Sequence, residues 1–286
     1  MVTQHQMSER RACSLVGLSR DTYRHVSQTS QLNVQLRQKI VDLAHQRRRW
    51  GYRMIHDVLR PQYPNINHKR IYRLYTAEGL SIRKRKKTKR IGLRVPLVAA
   101  LAVNQTWSMD FVSDAINQPG AVARRIKCLT VADDFTHECV DITADFGIGG
   151  EYVTRLLDRA ATFRGYPEAV RTDNGPEFTC RAFMTWTQKH SIQHILIEPG
   201  SPTQNAYIES FNGTFRDECL DENWFESLAQ ARDAIKIWRK DYNEIRPHSS
   251  CGRTPPATFA ALHRQLTGDA AQRNQHNPDS ELTLQP

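Results

Sequence analysis

The sequence predicts an α/β fold in which a mixed sheet is flanked by helices and preceded by a small all-α helix-turn-helix domain. Three short helical patterns come first, and beyond Val95 strands and helices follow in the order βββαβαβαα. The charge divides in the same region of the chain. Residues 1–100 hold 22 Lys and Arg against 5 Asp and Glu, a net +17, whereas residues 101–286 hold 18 against 25, a net −7.

The composition excludes several classes of protein. The chain has 286 residues, 39% hydrophobic and 24% charged, which is typical of a globular protein with a real core. Its longest apolar run, Leu97 to Val103, is far shorter than the roughly 20 residues that span a bilayer, and the polar start lacks a secretory signal pattern. We therefore expect a cytoplasmic protein. The six cysteines are scattered, and His190 and His194 lack a third ligand at zinc spacing, so neither disulfides nor zinc are expected.

The first three helical patterns cover Leu36 to Arg47, Tyr52 to Leu59 and His68 to Gly79. In the third, the apolar residues fall on one face, while Lys69, Arg70 and Arg73 fall on the other. Three short helices with a cationic third one are typical of a helix-turn-helix domain, which makes these three side chains candidates for contact with a DNA groove. A plain helical bundle with solvated charges is the alternative.

A dense basic run follows the third helix. Seven of the eight residues from Arg83 to Arg90 are basic. Such a run binds polyanions because it releases the counterions condensed on phosphates, so Arg83, Lys84, Arg85, Lys86 and Lys87 are further candidates for DNA contact. The alternative is a solvated linker.

The second part of the chain alternates strands and helices. Short runs rich in Val, Ile, Leu, Thr and Phe predict strands, and apolar residues at helical spacing predict helices. The predicted strands are Thr106 to Ser113, Lys127 to Asp133, Glu138 to Phe146, Ala169 to Arg171 and Ile192 to Ile197, and the predicted helices are Gly149 to Arg164, Phe178 to His190, Ser201 to Arg216 and Leu228 to Tyr242.

The helix from Ser201 carries clear start signals, with Ser201 as N-cap, Pro202 at the first helical position and Gln204 completing a capping box. Its helical spacing gives one polar stripe beside one apolar stripe, and it places Glu209 at the edge of the apolar face. The polar stripe contains Asn205, Glu209, Asn212 and Arg216, and the apolar stripe contains Ile208, Phe211 and Phe215.

Two further carboxylates are natural partners for Glu209. Asp110 lies inside an apolar strand, and Asp173 follows a strand before an Asn-Gly turn. Three converging carboxylates form an oxygen-only site that selects Mg²⁺ or Mn²⁺, and two such ions suit phosphoryl transfer. Structural roles are the alternatives: Asp173 shaping the turn, Glu209 pairing with Arg216, and Asp110 satisfying local backbone groups.

The motifs around these acids resemble those of the DDE transposase and retroviral integrase superfamily, in particular the second reading frame (OrfB-like) of bacterial transposases of the insertion-sequence-three type. Thirty-five residues separate Asp173 from Glu209, and Arg216 lies seven positions after Glu209. The motifs are Trp107 to Phe111, Arg171 to Phe178 and Pro199 to Gly213, with Trp50 to Arg53 and Asn67 to Leu74 before the core and Arg246 to His248 and Thr254 to Pro256 at its end.

The resemblance implies an RNase H-like integrase core in which Asp110, Asp173 and Glu209 hold two Mg²⁺ (or Mn²⁺) ions, cut at element ends and join the freed 3′-hydroxyl to another phosphate. It implies that Arg216 contacts DNA phosphate and that Asn174 and Glu177 position the site. It further implies double-stranded DNA (terminal repeats and target) as partner, a homo-oligomer on DNA, a first-reading-frame protein as fusion or partner, and a cytoplasmic place on the bacterial nucleoid.

These observations divide the chain into five segments: 1–34, an N-terminal helical lead; 35–82, the helix-turn-helix domain; 83–100, a basic linker; 101–266, the RNase H-like catalytic core; and 267–286, a disordered tail. The expected function is DNA transposition by metal-dependent cleavage and strand transfer. A catalytically silent DNA-binding regulator or element remnant is the alternative from another class, and a nuclease that only hydrolyses DNA is a third.

Overall fold

The computed structural model describes residues 6–24, 31–82, 99–197 and 205–275. Several features singled out by the sequence lie outside these ranges: the basic run Arg83 to Arg90, the cap residues Ser201, Pro202 and Gln204, and residues 276–286 of the expected tail. Within these ranges, no helix combines the length and the apolar character needed to cross a bilayer.

Two short helices, α1 (Glu9–Leu15) and α2 (Arg20–Arg24), precede the helix-turn-helix domain. That domain consists of α3 (Gln31–Gln46), α4 (Tyr52–Leu59) and α5 (His68–Ala77), so the three expected helices are confirmed, although α3 begins ahead of Leu36. Asn67 caps α5 by accepting a hydrogen bond from the Lys69 amide at 2.8 Å. The small core of the domain is formed by Leu36, Ile40, Trp50, Ile55, Leu59, Ile71, Leu74 and Tyr75.

A mixed five-stranded sheet forms the centre of the remaining chain, which we call the sheet domain (residues 99–275). Its strands are β1 (Thr106–Ile116), β2 (Arg124–Asp133), β3 (Cys139–Asp145), β4 (Ala169–Thr172) and β5 (Gln193–Leu196). They lie in the order β3-β2-β1-β4-β5. The β1–β2 and β2–β3 pairs are antiparallel, whereas β1–β4 and β4–β5 are parallel, which confirms the expected mixed sheet.

Helices cover both faces of the sheet, and β1 supplies both cores because successive strand residues point to opposite sides. Trp107 and Met109 pack beneath α6 (Gly150–Arg164), α7 (Pro176–Thr179) and α8 (Arg181–Lys189). Val112 and Ile116 pack beneath the second layer. That layer consists of α9 (Ala206–Phe215), a π-helical turn (Arg216–Leu220) and α10 (Leu228–Glu244).

The single helix expected over 178–190 is divided into α7 and α8. The helix stops at Thr179 because Cys180 has an extended backbone, with φ −71° and ψ 157°. At this break the Cys180 thiol lies against Gly150, where an added Cβ atom would stand 2.0 Å from the sulfur. Only glycine permits this close approach of α6 to the break.

The C-terminal end of the domain also differs from expectation. Helix α11 (Pro256–Gln275) extends into the segment 267–286, which the sequence predicts to be a disordered tail. Its first turns are anchored, since Ala260 is buried and the Phe259 ring lies 5.6 Å from that of Phe135. Once such a turn exists, adding a further residue requires no new nucleation. The helix therefore continues beyond the point at which the apolar periodicity ends.

The helix-turn-helix domain contacts the sheet domain through charges. The cations after α3 meet acids of the π-helical turn region and α10, and one arginine near α11 reaches back to α4. The three ion pairs are Arg47 with Asp241, Arg49 with Glu222 at 3.6 Å, and Arg253 with Asp57 at 3.0 Å.

A buried ion pair holds β4 against the sheet. The Arg171 side chain is 8% exposed and donates to Asp134, whose side chain is 1% exposed. The same guanidinium donates to the Ser108 hydroxyl of β1 at 3.4 Å. Burial raises the pKa of the Asp134 carboxyl despite the Ser108 and Arg171 contacts, which shows that desolvation dominates at this position.

We expect Arg171→Met to destabilise the protein by about 3–5 kcal/mol, because it leaves the Asp134 carboxylate buried without a cation. The double variant Arg171→Met with Asp134→Leu should recover most of this loss, since it removes both charges. Urea unfolding at neutral pH measures the three free energies. A single variant as stable as the wild type would contradict the assignment.

Candidate active site

Asp110 projects from the central strand toward α9. The alternation along β1 puts Trp107, Met109 and Phe111 on the face of α6, so Asp110 takes the opposite face with Val112. Its strand neighbour across the β1–β2 pair is Thr130. One oxygen of the carboxylate is held by the local backbone, because Oδ1 accepts a hydrogen bond from the Phe111 amide at 2.7 Å. The expected local backbone role is therefore present, although it occupies only one of the two oxygens.

Strand register brings Asp173 to the same level as Asp110. Parallel pairing matches Ser108 with Arg171, and each acid lies two residues further along its own strand. Two residues are one full pleat, so the register carries both acids in the same direction. Asp173 is exposed and lies just beyond the end of β4.

Helix α9 supplies Glu209. Ile208, Phe211 and Phe215 are buried as their spacing predicts, and they fix the face that α9 turns to the sheet. In the described residues α9 begins at Ala206, and Asn205 caps it without a side-chain hydrogen bond. Glu209 is exposed rather than set at the edge of the buried face as expected. Arg216 does not pair with it, which removes the ion-pair alternative.

Asn212 ties α9 to Asp110, a role that the sequence analysis does not assign. Its Nδ2 donates to Asp110 Oδ2 at 2.9 Å, and its Oδ1 lies 2.8 Å from the Thr130 hydroxyl. The Thr130 hydroxyl lies also 3.0 Å from the Asp110 carbonyl oxygen. Asn212 shares the polar stripe with Glu209, and that stripe is the only sequence signal that could have identified it.

The charges of Asp173 and Glu209 act on the Asp110 carboxyl. Burial is the main cause that raises the pKa of the Asp110 carboxyl above its ordinary value. The hydrogen bonds from Phe111 and Asn212 oppose this rise, while the charges of Asp173 and Glu209 add to it. Both acids are therefore close enough for their negative charge to act on Asp110.

The donor chemistry of the three acids fits a hard divalent cation, although their side chains are too far apart to surround one. Over the described ranges, no three His, Cys, Asp or Glu side chains lie close enough together to hold a metal ion. Asp110 is occupied by Phe111 and Asn212, as described above. The set is nevertheless oxygen-only, and a cation would relieve the repulsion that raises the pKa of Asp110.

Asp173 also shapes the turn that follows it, as its alternative role predicts. Its Oδ1 accepts the Gly175 amide at 3.0 Å, and a Cβ atom at Gly175 would stand 3.0 Å from that same oxygen. Asn174 donates to the Ile197 carbonyl at 3.0 Å, which fastens the turn to the end of β5. Both contacts orient Asp173 without occupying its second oxygen.

Glu177 contacts a lysine rather than one of the three acids. It forms an ion pair with Lys127, whose ammonium lies 4.2 Å from the centre of the Phe111 ring. Burial raises the pKa of Glu177, but the hydrogen bond and charge of Lys127 outweigh it, so the pKa lies below its ordinary value. Glu177 thus stays ionised beside β1.

Arg216 opens the π-helical turn directly after α9. Its Nη2 donates to the Ser113 carbonyl of β1 at 2.8 Å, and its Nη1 lies 4.0 Å from Asp221. These contacts hold the guanidinium at β1, three residues along the strand from Asp110. A π-helical turn at this position is typical of helices interrupted at functional sites.

The three candidates on α5 differ in their surroundings. Lys69 and Arg73 are exposed, whereas Arg70 is half-buried and donates from Nε to Asn33 of α3 at 2.8 Å. Arg70 therefore joins two helices of the domain. Arg83, Lys84, Arg85, Lys86 and Lys87 lie outside the described residues.

His190 and His194 do not share a site. The His194 Nε2 lies 2.8 Å from the Thr172 hydroxyl, while the His190 ring stacks on Tyr166 with centroids 4.1 Å apart. Burial lowers the pKa of His194, so it is neutral within the fold. Both histidines have structural surroundings.

Comparison with known families follows the division of the chain. The integrase core domain family matches residues 100–202 and again residues 190–256, and the HTH-like domain family matches residues 31–88.

Three relatives illustrate the similarity. The insertion element IS476 uncharacterized 39.2 kDa protein of Xanthomonas euvesicatoria is 64% identical over 265 residues, with 92% of this chain and 75% of that protein covered. The insertion element IS407 uncharacterized 31.7 kDa protein of Burkholderia multivorans is 54% identical, with 92% and 94% covered. The putative transposase InsK for insertion sequence element IS150 of Escherichia coli is 26% identical, with 74% and 77% covered. With an integrase core, an HTH-like domain and this identity to insertion-element proteins, the chain belongs to the DDE transposases of the insertion-sequence-three family.

Proposed function

We propose that Asp110, Asp173 and Glu209 perform the chemistry of DNA transposition in this chain. They would cut phosphodiesters at the element ends and join the freed 3′-hydroxyl to a phosphate of the target. The observation that carries the proposal is the parallel register that sets Asp110 and Asp173 at one level of the sheet, with the charges of Asp173 and Glu209 acting on the half-buried Asp110 carboxylate. Three acids from a strand, a strand end and a helix repel one another there, an energetic cost that folding alone does not require.

The same three carboxylates are the groups that would hold two divalent ions, Mg²⁺ or Mn²⁺. Such ions, when bound, lower the pKa of an attacking hydroxyl and offset the charge that develops on the phosphate. The protein's own part is orientation. Asn212 and the Phe111 amide fix the rotation of Asp110, and the turn at Gly175 fixes Asp173.

Residues near the three acids would bind the DNA backbone or position the acids. Arg216 would contact a phosphate near the reacting DNA strand, since its guanidinium is bonded to Ser113, three residues beyond Asp110 in β1. Glu177 and Asn174 are positioning residues in this proposal, the first through Lys127 and the second through β5. The ion pair of Glu177 holds the Lys127 ammonium over the Phe111 ring, on the face of β1 opposite to Asp110.

Recognition of the element ends is assigned to the helix-turn-helix domain. Lys69 and Arg73 are the side chains of α5 exposed for groove or phosphate contact, and Arg70 supports them through α3. The run Arg83 to Lys87 would add phosphate contacts. We further propose that the chain acts as a homo-oligomer on DNA, with a first-reading-frame protein as fusion or partner.

Glu209→Gln should reduce strand transfer on the order of 10²–10³-fold. The reason is that it removes one of the carboxylates that would hold the divalent ions at the reacting phosphate. The assay uses a pre-nicked 3′-hydroxyl donor and a plasmid target in Mg²⁺ or Mn²⁺. Glu151→Gln, which removes an exposed carboxylate on α6, is the matched control and should keep full activity.

The DNA products distinguish a strand-transfer enzyme from a nuclease and from a silent remnant. Joined DNA from the wild type and the control alone supports the proposal, whereas cleavage without joining supports a nuclease. Equal joining by Glu209→Gln contradicts the assignment of this residue. If no variant gives product, adding the first-reading-frame protein distinguishes a missing partner from a silent remnant.

Mg²⁺ should raise the melting temperature of the wild type, because an ion that binds only the folded state stabilises it by about 2.7 kcal/mol at roughly 100 times its Kd. Asp110→Asn should lose most of this rise, and Glu151→Gln should retain it. Differential scanning fluorimetry with and without Mg²⁺ provides the measurement. An equal Mg²⁺ effect in Asp110→Asn would count against the carboxylate cluster.

Without metal, Asp110→Asn should be more stable than the wild type at neutral pH. The raised pKa means that the folded state binds the Asp110 proton more tightly than the unfolded state. The contribution of Asp110 to stability therefore falls as pH rises from about 4 through the raised pKa, and the advantage of the variant grows over that window. Urea unfolding in EDTA across this pH range, with exposed Asp233→Asn as control, tests the sign; an advantage that shrinks with pH would refute it.

A further inference from the structure

A cationic cleft lies where the helix-turn-helix domain meets the sheet domain. It has a volume of about 280 Å³, and both domains contribute to its walls. We call it the junction cleft, and it is lined by Arg53, His56, Asp57, Arg60, His68 and Arg253. Five of these belong to α4, its C-terminal end or the first residue of α5, and Arg253 comes from the segment before α11.

The charge of the junction cleft is not balanced within it. Three arginines line it against one aspartate, and Asp57 is already occupied. Its side chain is 7% exposed, with the His56 ring at 3.1 Å on one oxygen and Arg253 at 3.0 Å on the other. Among the described residues neither Arg53 nor Arg60 forms an ion pair, although the charge of Asp57 acts on Arg53, and both arginines are exposed.

Arg53 is held in place by an aromatic neighbour rather than by an acid. Its Nε donates to the Tyr52 hydroxyl at 3.2 Å, and its guanidinium lies 5.9 Å from the centre of that ring. These contacts raise the pKa of Arg53, so its charge is secure. An arginine fixed this way keeps most of its hydrogen-bond donors for an external acceptor.

Arg253 reaches the cleft through a backbone conformation that residues with a side chain rarely adopt. Its φ is +67°, and its amide donates to the His248 carbonyl at 2.8 Å inside a turn closed by His248 and Thr254. Such conformations cost on the order of 1–3 kcal/mol and persist where the surroundings enforce them. Here the strained turn directs a cation of the sheet domain to α4.

We propose that the junction cleft binds a phosphate of the duplex DNA backbone, so that one DNA strand is held by both domains at once. The inference rests on the proposed function only in that DNA is the substrate. Arg53 and Arg60 supply paired donors that match phosphate geometry, and Arg253 adds a donor from the other domain. The cleft adjoins the start of α5, next to Lys69, so a backbone crossing it continues along the proposed recognition helix.

The double variant Arg53→Gln with Arg60→Gln tests the proposal and leaves the Asp57–Arg253 pair intact. The slope of log affinity against log salt should fall by about one unit for each lost phosphate contact, hence about two in total. Binding should weaken equally on element-end DNA and on unrelated duplex. Fluorescence anisotropy between about 50 and 200 mM salt, without divalent metal, measures both.

Arg155→Gln with Arg181→Gln is the matched control, since it removes two exposed arginines that do not line the cleft. A salt slope in the cleft variant equal to that of the control overturns the proposal, as does a loss of sequence preference with an unchanged slope. If inorganic phosphate raises the wild-type melting temperature while the cleft variant keeps its DNA slope, the cleft takes free phosphate and the proposal also fails. DNA binding is measured here without catalysis. If the wild type shows no strand transfer but the cleft variant has a reduced salt slope, the result counts only against the proposed roles of Asp110, Asp173 and Glu209.

Discussion

The site depends on the unequal pairing of strand β1. Along one edge β1 is paired with β2 from Trp107 to Ile116, but along the other it meets β4 only from Thr106 to Ser108. Beyond Ser108 no strand of the described residues pairs with that second edge, while β2 still holds the backbone of β1 along the other. Asp110 lies in this stretch of β1, so its half-buried carboxylate is fixed where only one edge of the strand is paired.

Helix α9 is also attached to the sheet mainly through β1. The apolar residues of α9 bury it over Val112 and Ile116, and the Asn212 contacts with Asp110 and Thr130 set its rotation. The energetic consequence is a compromise typical of functional sites. The half-buried Asp110 carboxylate, near the charges of Asp173 and Glu209, lowers the stability of the fold at neutral pH, and in the proposed function a bound cation would compensate for this loss.

Local patterns predicted the parts of the structure that depend on local physics. The period-2 alternation of β1 and the apolar stripe of α9 set the faces correctly, and the motif spacing predicts that Asp110, Asp173 and Glu209 act together. Contacts between distant segments were not accessible. The Arg70–Asn33 bond, the break at Cys180 against Gly150 and the continuation of α11 each depend on a partner far away in sequence or on a turn anchored elsewhere.

The ion pairs between the two domains limit how such elements can exchange parts. Arg47 and Arg49 belong to the helix-turn-helix domain, yet their partners Asp241 and Glu222 belong to the sheet domain. A recombinant that receives a helix-turn-helix domain without Arg47 and Arg49 leaves Asp241 and Glu222 of the old sheet domain without these partners. Domain contact therefore favours exchange between donors that share this charge pattern.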